Sequence, residues 1–135
     1  MGIKRPGIIK NERGASAVEF ALILPILVML VFGIFEFGIA YNNYISLTHA
    51  AREGARLAAV NMDEIKGIDW FEDRVKNSSP AIKDKIESIT LSGQDGNIGD
   101  KVTVTVTGEV LNIEIPLAGS WPVQLASTAT LRIEQ

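Results

Sequence analysis

The residue types that most often do chemistry are scarce in this sequence. Its 135 residues contain one histidine, His49, and no cysteine, so the usual zinc ligand sets are absent. A Ser-His-Asp triad would have to use His49, which is poorly placed in a helix beside an apolar segment. Asp95 and Asp100 flank a turn, but their spacing does not fit an EF-hand loop. We therefore expect no enzyme activity, no cofactor and no metal, with a plain turn at these aspartates and a solvent-facing or packing His49.

One carboxylate, Glu19, stands at the start of a long apolar segment. From Phe20 to Phe35 no residue is charged or strongly polar, and the run extends to Ala40 if Glu36 is tolerated. About 21 residues give roughly 31 Å of helix, which is enough to cross a bilayer. A carboxylate costs on the order of 2.5–3.5 kcal/mol at the centre of such a helix and less near the interface. Glu19 therefore either pairs with a cation or lies at the interface, where the helix dipole favours it.

Charge around the apolar segment predicts its orientation. Basic residues that flank a span stay in the cytoplasm, so we expect the N-terminus inside and everything after about Tyr41 outside. Gly38-Ile39-Ala40 resembles a signal-peptidase site, whose use would release a soluble domain, but the long apolar run argues against it. The basic residues before the segment are Lys4, Arg5, Lys10 and Arg13.

A single helix of about 45 residues should position these groups. It is expected to start near Ser16 and to continue to Val60, because the stretch after Asn42 lacks proline and is rich in alanine. Pro25 removes one hydrogen bond and predicts a kink. In the outer half, small residues recur at i, i+4 spacing and would let a sheet pack closely. This small-residue stripe consists of Ala50, Ala51, Gly54, Ala55, Ala58 and Ala59.

The rest of the chain predicts a small α+β domain. Asp63–Lys76 suggests one or two helical turns, and Ser79-Pro80 suggests the start of a short helix with serine as its cap. Alternation over Lys101–Thr107 places valines on one face and threonines on the other. The helical turns would put Ile65, Ile68, Phe71 and Val75 on one side. Further strands are predicted at Ile86–Ser92, Val110–Ile115 and Leu125–Glu134, with a turn at Gln94–Asp100 and a loop at Pro116–Pro122 around Trp121. In the last strand the inner face would carry Leu125, Ala129, Leu131 and Ile133.

The predicted fold class is therefore α+β: a long N-terminal transmembrane α-helix extends out of the membrane and packs on a small antiparallel β-sheet domain. Trp70, Phe71 and Trp121 are expected in core or edge packing rather than as exposed anchors. Residues 41–135 carry nine basic and thirteen acidic residues. This outer part offers no basic patch, so we expect no nucleic-acid partner.

The order of a basic leader, Gly14, the sequence ASAVEF and an apolar helix with proline resembles the processing site of type IV pilin-like proteins. The closest match is the TadE-like family, the minor pseudopilins of tight-adherence (Flp-type) pili. The resemblance continues through AAREGARLAA, and the ending ASTATLRIEQ is similar to the family's C-terminal strand. It implies a leader at 1–14, a long helix at 15–60 with a transmembrane part at 18–40, and a pilin-like extracytoplasmic domain at 61–135.

The family resemblance assigns roles to the residues around Gly14. A prepilin peptidase would cut after Gly14, and Ala15 would become the new N-terminus. Glycine lets an extended chain enter a narrow protease site without a side-chain collision. Glu19 would be the glutamate at the fifth mature position, and Phe20 stands where pilins of this system often carry tyrosine. The free amine of Ala15 would lie on the same helical face as Glu19 and could pair with it, in one subunit or between neighbours.

The resemblance also implies partners and a location. The partners are the membrane, a prepilin peptidase, other pilin and pseudopilin subunits and the pilus assembly platform, with no small-molecule substrate. The location is the bacterial inner membrane, with incorporation into a surface pilus left open. One alternative is an uncleaved single-span protein that displays a ligand-binding or adhesin domain, and processing after Gly14 separates the two. Another is a membrane-anchored hydrolase, which would depend on His49.

Overall fold

The computed structural model of the chain describes residues 12–61, 68–93 and 97–134. The predicted leader therefore lies almost entirely outside the described residues, as do Ile65, the side chain of Ile68 and Asp95. The α+β fold class is confirmed, because one long helix is followed by a three-stranded antiparallel sheet. The elements in chain order are α1 (Glu12–Val60), α2 (Ile68–Asn77), a 3-10 helix (Lys83–Lys85), β1 (Ile86–Ser92), β2 (Lys101–Ile115) and β3 (Gly119–Arg132).

Helix α1 has 49 residues and is about 72 Å long at 1.5 Å per residue. It ends at Val60 as predicted, and within the described residues it is already helical at Glu12, four residues before the expected start near Ser16. The helix runs through Pro25 without ending. Proline has no N–H to donate, so the carbonyl of Ala21 lacks its usual helical partner at this point.

Strand β2 lies between β1 and β3 and is antiparallel to both. The two strands predicted at Lys101–Thr107 and Val110–Ile115 are one strand, so their separation was wrong. The pairing with β3 shifts between Thr107 and Val110, and this bulge accommodates one extra residue of β2 without ending the strand. Because of this shift, the even-numbered residues of β2 face α1 before the bulge, and the odd-numbered residues face it after the bulge.

The loop predicted at Pro116–Pro122 was also too long. Strand β3 begins at Gly119, and Trp121 pairs with Ile113 across the hairpin. Pro122 is tolerated there because β3 is an edge strand, where a missing N–H leaves no ladder bond unmade. The connection between β2 and β3 therefore comprises only residues 116–118.

The small-residue stripe of α1 packs against the helix-facing side of the sheet, as predicted. Val102, Val104 and Val106 of β2 are fully buried against it. Phe71 and Val75 of α2 also enter this core, as the helical spacing indicated. Leu131 does not: it is 43% exposed, although the predicted inner face included it. The stripe residues Ala50, Ala51, Gly54, Ala55, Ala58 and Ala59 are all buried.

Hydrogen bonds to carbonyl groups of α1 attach the domain to the helix at separate points. The backbone amide of Glu134 donates to the carbonyl oxygen of Ala59 at 3.0 Å. The hydroxyl of Ser79 donates to the carbonyl oxygen of Ser46 at 3.0 Å.

The prediction of a short helix with Ser79 as its cap was wrong. A turn follows Ser79, and the 3-10 helix begins only at Lys83.

Candidate functional site

The predicted cleavage site lies near the N-terminal end of the described part of α1. Gly14 and Ala15 are both helical and belong to α1, which is described from Glu12 onward. The Gly14–Ala15 peptide bond is therefore helical in this structure, and a protease that requires an extended chain must unwind it.

Glu19 lies four residues after Ala15 on the same face of α1, and both are exposed. Four residues correspond to a rise of about 6 Å. Among residues 12–61, 68–93 and 97–134, no group forms a hydrogen bond or an ion pair with the Glu19 side chain. Phe20 beside it is 61% exposed. The structure thus presents a carboxylate and an aromatic ring outward at the start of the apolar segment.

The apolar segment of α1 makes few contacts within the chain. Its most apolar window of 18 residues has a mean hydropathy of 2.7, and none of that window is buried. In the described part of the chain, α1 is the one helix long and apolar enough to cross a membrane. An exposed apolar surface of this extent marks contact with lipid or with other proteins.

Glu36 lies in a part of α1 that sequence reasoning left without a partner. It is partly buried and lines a groove together with Phe32 of α1 and Glu114, Ile115 and Leu117 of the β2–β3 hairpin. The end of the hairpin therefore reaches down beside the outer part of the apolar segment. No sequence pattern indicates this contact, because it joins residues about 80 positions apart whose proximity depends on how the hairpin packs.

The other candidate residues have ordinary surroundings. His49 is exposed and lines a shallow depression with Arg52 and Pro80. The side chain of Asp100 accepts a hydrogen bond from the amide of Asn97 at 2.8 Å, as in a turn. No group of three or more His, Cys, Asp or Glu residues in the described ranges could hold a metal ion.

The aromatic residues of α2 and β3 are buried to different degrees. Phe71 is buried, and Trp70 meets it edge-on at 6.4 Å between ring centroids. Trp121 is 47% exposed, so it is not a core residue.

An ion pair lies on the outer half of α1. The Arg56 guanidinium donates two hydrogen bonds to the Glu53 carboxylate, at 2.7 and 3.0 Å. This hydrogen bonding lowers the pKa of Glu53, against the opposing effect of partial burial. The charged pair borders the depression that contains His49.

These features define a class of protein with a single long helix. At one end the helix exposes an apolar surface long enough to span a membrane, and at the other end it forms one side of an α+β core. Residues 14–56 match the family model described as TadE-like protein. This match supports the resemblance to the TadE-like family that the sequence indicated, and a TadE-like domain implies a Tad pilus-associated protein. The match begins at Gly14 and covers about a third of the chain. No curated protein and no solved structure matches this chain.

Proposed function

We propose that this chain is a minor pseudopilin that a prepilin peptidase cuts after Gly14 and that then acts in assembly of a tight-adherence (Flp-type) pilus used for surface adhesion. Its role is structural rather than enzymatic. The observation that carries the proposal is the family match itself: it starts at Gly14 and takes in an exposed Glu19 and an unburied apolar helix. The chain sits in the inner membrane with its N-terminus in the cytoplasm and its sheet outside.

Cleavage changes the charge at the start of the helix. Hydrolysis of the Gly14–Ala15 bond leaves a carboxylate on Gly14 and a free amine on Ala15, which is protonated near neutral pH. Before cleavage the nitrogen of Ala15 is a neutral amide. Processing therefore creates a cation four residues before Glu19, on the same helical face.

The unpaired carboxylate of Glu19 is available to the amine that cleavage creates on Ala15. A carboxylate near the membrane is costly unless a cation or hydrogen-bond donors compensate it. Glu19 has no such partner among the described residues. The amine of Ala15, in the same subunit or in a neighbour, supplies the missing charge after processing. Pairing between subunits would also fix how far one helix is displaced along the next.

The shape of α1 suits packing against other helices. Helices in a membrane associate through close contact of small residues rather than through the hydrophobic effect. A Cβ atom added at Gly33 or at Gly38 would meet nothing within 4 Å, so both glycines leave room for a neighbouring helix. The partners of this surface are other pilin and pseudopilin subunits and the assembly platform.

The test is the intact mass and N-terminal sequence of the protein from membranes with and without its prepilin peptidase. A mature chain beginning at Ala15, only when the peptidase is present, is the expected result. Gly14→Asp should block processing, whereas the matched change Gly38→Ala on the same helix should leave it normal. A chain beginning at Met1 or Gly2 in the presence of the peptidase would favour an uncleaved anchored module, and one beginning at Tyr41 a secreted domain.

A further inference from the structure

The β2–β3 hairpin extends along α1 as far as the apolar segment. Its C-terminal end is attached near the top of the helix by the bond from Glu134 to Ala59. From Arg132 down to Gly119, β3 spans about 43 Å at 3.3 Å per residue. From Ala59 to Phe32, α1 extends about 40 Å along its axis toward the membrane. The two lengths agree, and the hairpin tip, defined here as Ile115–Trp121, accordingly lies beside Phe32 and Glu36.

This placement puts the hairpin tip below the predicted outer boundary of the span. If the part of α1 inside the membrane, interfacial layer included, ends near Ala40, Glu36 and Phe32 lie about 6 and 12 Å below that outer boundary. The interfacial layer on each side of the hydrocarbon core is on the order of 5–8 Å thick. A hairpin tip at this height cannot stay in bulk water while α1 crosses the membrane, so it enters the outer interface.

The chemistry of the tip fits an interface. Leu117 is 79% exposed, and it holds a φ of 67°, which is uncommon for a residue other than glycine. The chain thus places a large apolar side chain at the most exposed point of a strained turn. Trp121 is 47% exposed, and tryptophan is enriched where membrane meets water because its ring is amphipathic.

Glu114 limits how deep the tip can go. It is exposed and pairs with Ser120, between the pair Ile113–Trp121 and the turn that carries Leu117. A carboxylate in hydrocarbon is costly, so Glu114 stays at headgroup level. Leu117, which is further along the hairpin, can then reach the upper acyl region.

We propose that the hairpin tip is a second membrane-contact element, in which Leu117 and Trp121 enter the outer interface of the bilayer that α1 spans. The proposal rests on the membrane location that the proposed function gives to α1. Two contacts with the membrane, one through α1 and one through the tip, hold the sheet domain at a fixed height and rotation relative to the bilayer. A single helix without the second contact would leave that rotation free.

Fluorescence can test this because the chain has two tryptophans, Trp70 and Trp121. Trp70 belongs to α2, which packs on the outer half of α1, away from the tip. The full-length variants Trp70→Phe and Trp121→Phe each keep one reporter. Each is reconstituted into phosphatidylcholine–phosphatidylglycerol vesicles in which a share of the lipids carries a quencher just below the headgroup. Flotation of the vesicles confirms that α1 has inserted, which keeps failure of membrane insertion distinct from failure of the tip proposal.

Quenching lipids should lower the emission of Trp121 to roughly half, and leave that of Trp70 nearly unchanged. Leu117→Ser should reduce the quenching of Trp121, whereas Leu131→Ser, a matched change at the other end of β3, should not. The proposal is overturned if, in floated vesicles, the emission of Trp121 is not quenched by the quencher lipids but is quenched by aqueous iodide. It is also overturned if Trp121 is shielded from both, since a protein neighbour then covers the tip.

Discussion

The backbone of Gly54 on α1 lies against the side chain of Val104 on β2. A Cβ atom added at Gly54 would stand 3.0 Å from Cγ1 of Val104 and 3.0 Å from Cγ2 of Val75 on α2. Both valines are fully buried, so neither has free space to retreat into. Three elements therefore meet at a position where only a hydrogen atom fits without adjustment.

Gly54→Ala should lower the free energy of unfolding of the domain, by about 1 kcal/mol. Alanine favours the helix by about 1 kcal/mol over glycine, but overpacking a closed core costs about 1–3 kcal/mol, so the packing term prevails. Chemical denaturation in detergent, followed by tryptophan fluorescence, measures the change. Gly38→Ala is the control, because nothing lies within 4 Å of a Cβ there.

A double-mutant cycle shows whether Val104 causes the effect. Val104→Ala should cost less in the Gly54→Ala background than in the unmodified chain, because its shorter side chain makes room for the new methyl group. Additive losses would mean that the contact between residues 54 and 104 does not limit the packing.

The hydroxyls of Thr48 and Ser127 lie 3.0 Å apart between α1 and β3. Thr48 donates its one hydroxyl hydrogen to the carbonyl oxygen of Tyr44 at 2.9 Å, so Ser127 must be the donor to Thr48. Thr48→Val leaves the buried Ser127 hydroxyl without an acceptor and should cost about 1–3 kcal/mol. The pair Thr48→Val with Ser127→Ala should recover most of that loss, because both polar groups are then gone.

Ser46→Ala serves as the matched control for Thr48→Val. Its hydroxyl also donates to the carbonyl four residues earlier, at 3.0 Å, but it does so on the exposed side of the helix. Its removal should change stability by less than about 0.5 kcal/mol. If Thr48→Val lowers the free energy of unfolding by an equally small amount, then the Ser127 hydroxyl finds another acceptor. The hydrogen bond between Ser127 of β3 and Thr48 of α1 would then contribute little to stability.

The ion pair between Glu53 and Arg56 should give a small dependence of stability on pH. The hydrogen bond from Arg56 lowers the pKa of Glu53 in the folded protein, so the folded state binds fewer protons in acid than the unfolded state does. The contribution is fully present above the unfolded pKa of glutamate and is lost as the pH falls through the lowered folded pKa.

The melting temperature of the unmodified chain should therefore exceed that of Glu53→Gln slightly at neutral pH, and the two should converge in acid. The pair is largely exposed, so added salt should also shrink the difference. Arg56→Gln, which removes the same pair from the other side, should show the same convergence. If the difference in melting temperature persists in strong acid, it arises from side-chain packing and not from the charge of Glu53.

The sequence predicted the parts of the fold that local pattern controls. The spacing of small residues around Gly54 indicated a buried helix face, and the alternation over Lys101–Thr107 indicated a half-buried strand. The exact bounds of β1 also followed from composition between two turn signals. Each of these depends on neighbours within a few residues along the chain.

Long-range pairing explains what the sequence did not reveal. The sequence predicted a break between Thr107 and Val110, but pairing on both sides of the bulge keeps β2 continuous. The prolines around Trp121 suggested a loop, but Ile113 across the hairpin holds Trp121 in a strand. Leu131 alternates in phase with core residues, but it lies on the edge strand beside Arg52 and Arg56 and is 43% exposed. The groove beside Glu36 follows from the length of the whole hairpin, which no local pattern contains.

Glu19→Gln should leave processing after Gly14 intact and reduce the number of assembled pili. Glutamine keeps the size of the side chain but cannot attract the amine that cleavage creates on Ala15. A loss of about 1.4 kcal/mol in subunit pairing lowers the assembly equilibrium tenfold, so a reduction of at least this order is expected. Pilus counts by electron microscopy, together with the N-terminal sequence of the variant, separate an assembly defect from a processing defect.

Glu36→Gln is the matched control, because it neutralises the other carboxylate of the apolar part of α1. Its carboxylate faces the hairpin groove rather than the helix start, so assembly should proceed at close to the normal level. If both variants assemble normally, the pairing of Glu19 with Ala15 is not needed, and Glu19 acts only through the helix dipole at the interface. If both fail equally, loss of either charge disturbs the membrane placement of α1, and the effect does not identify Glu19 as the pairing residue.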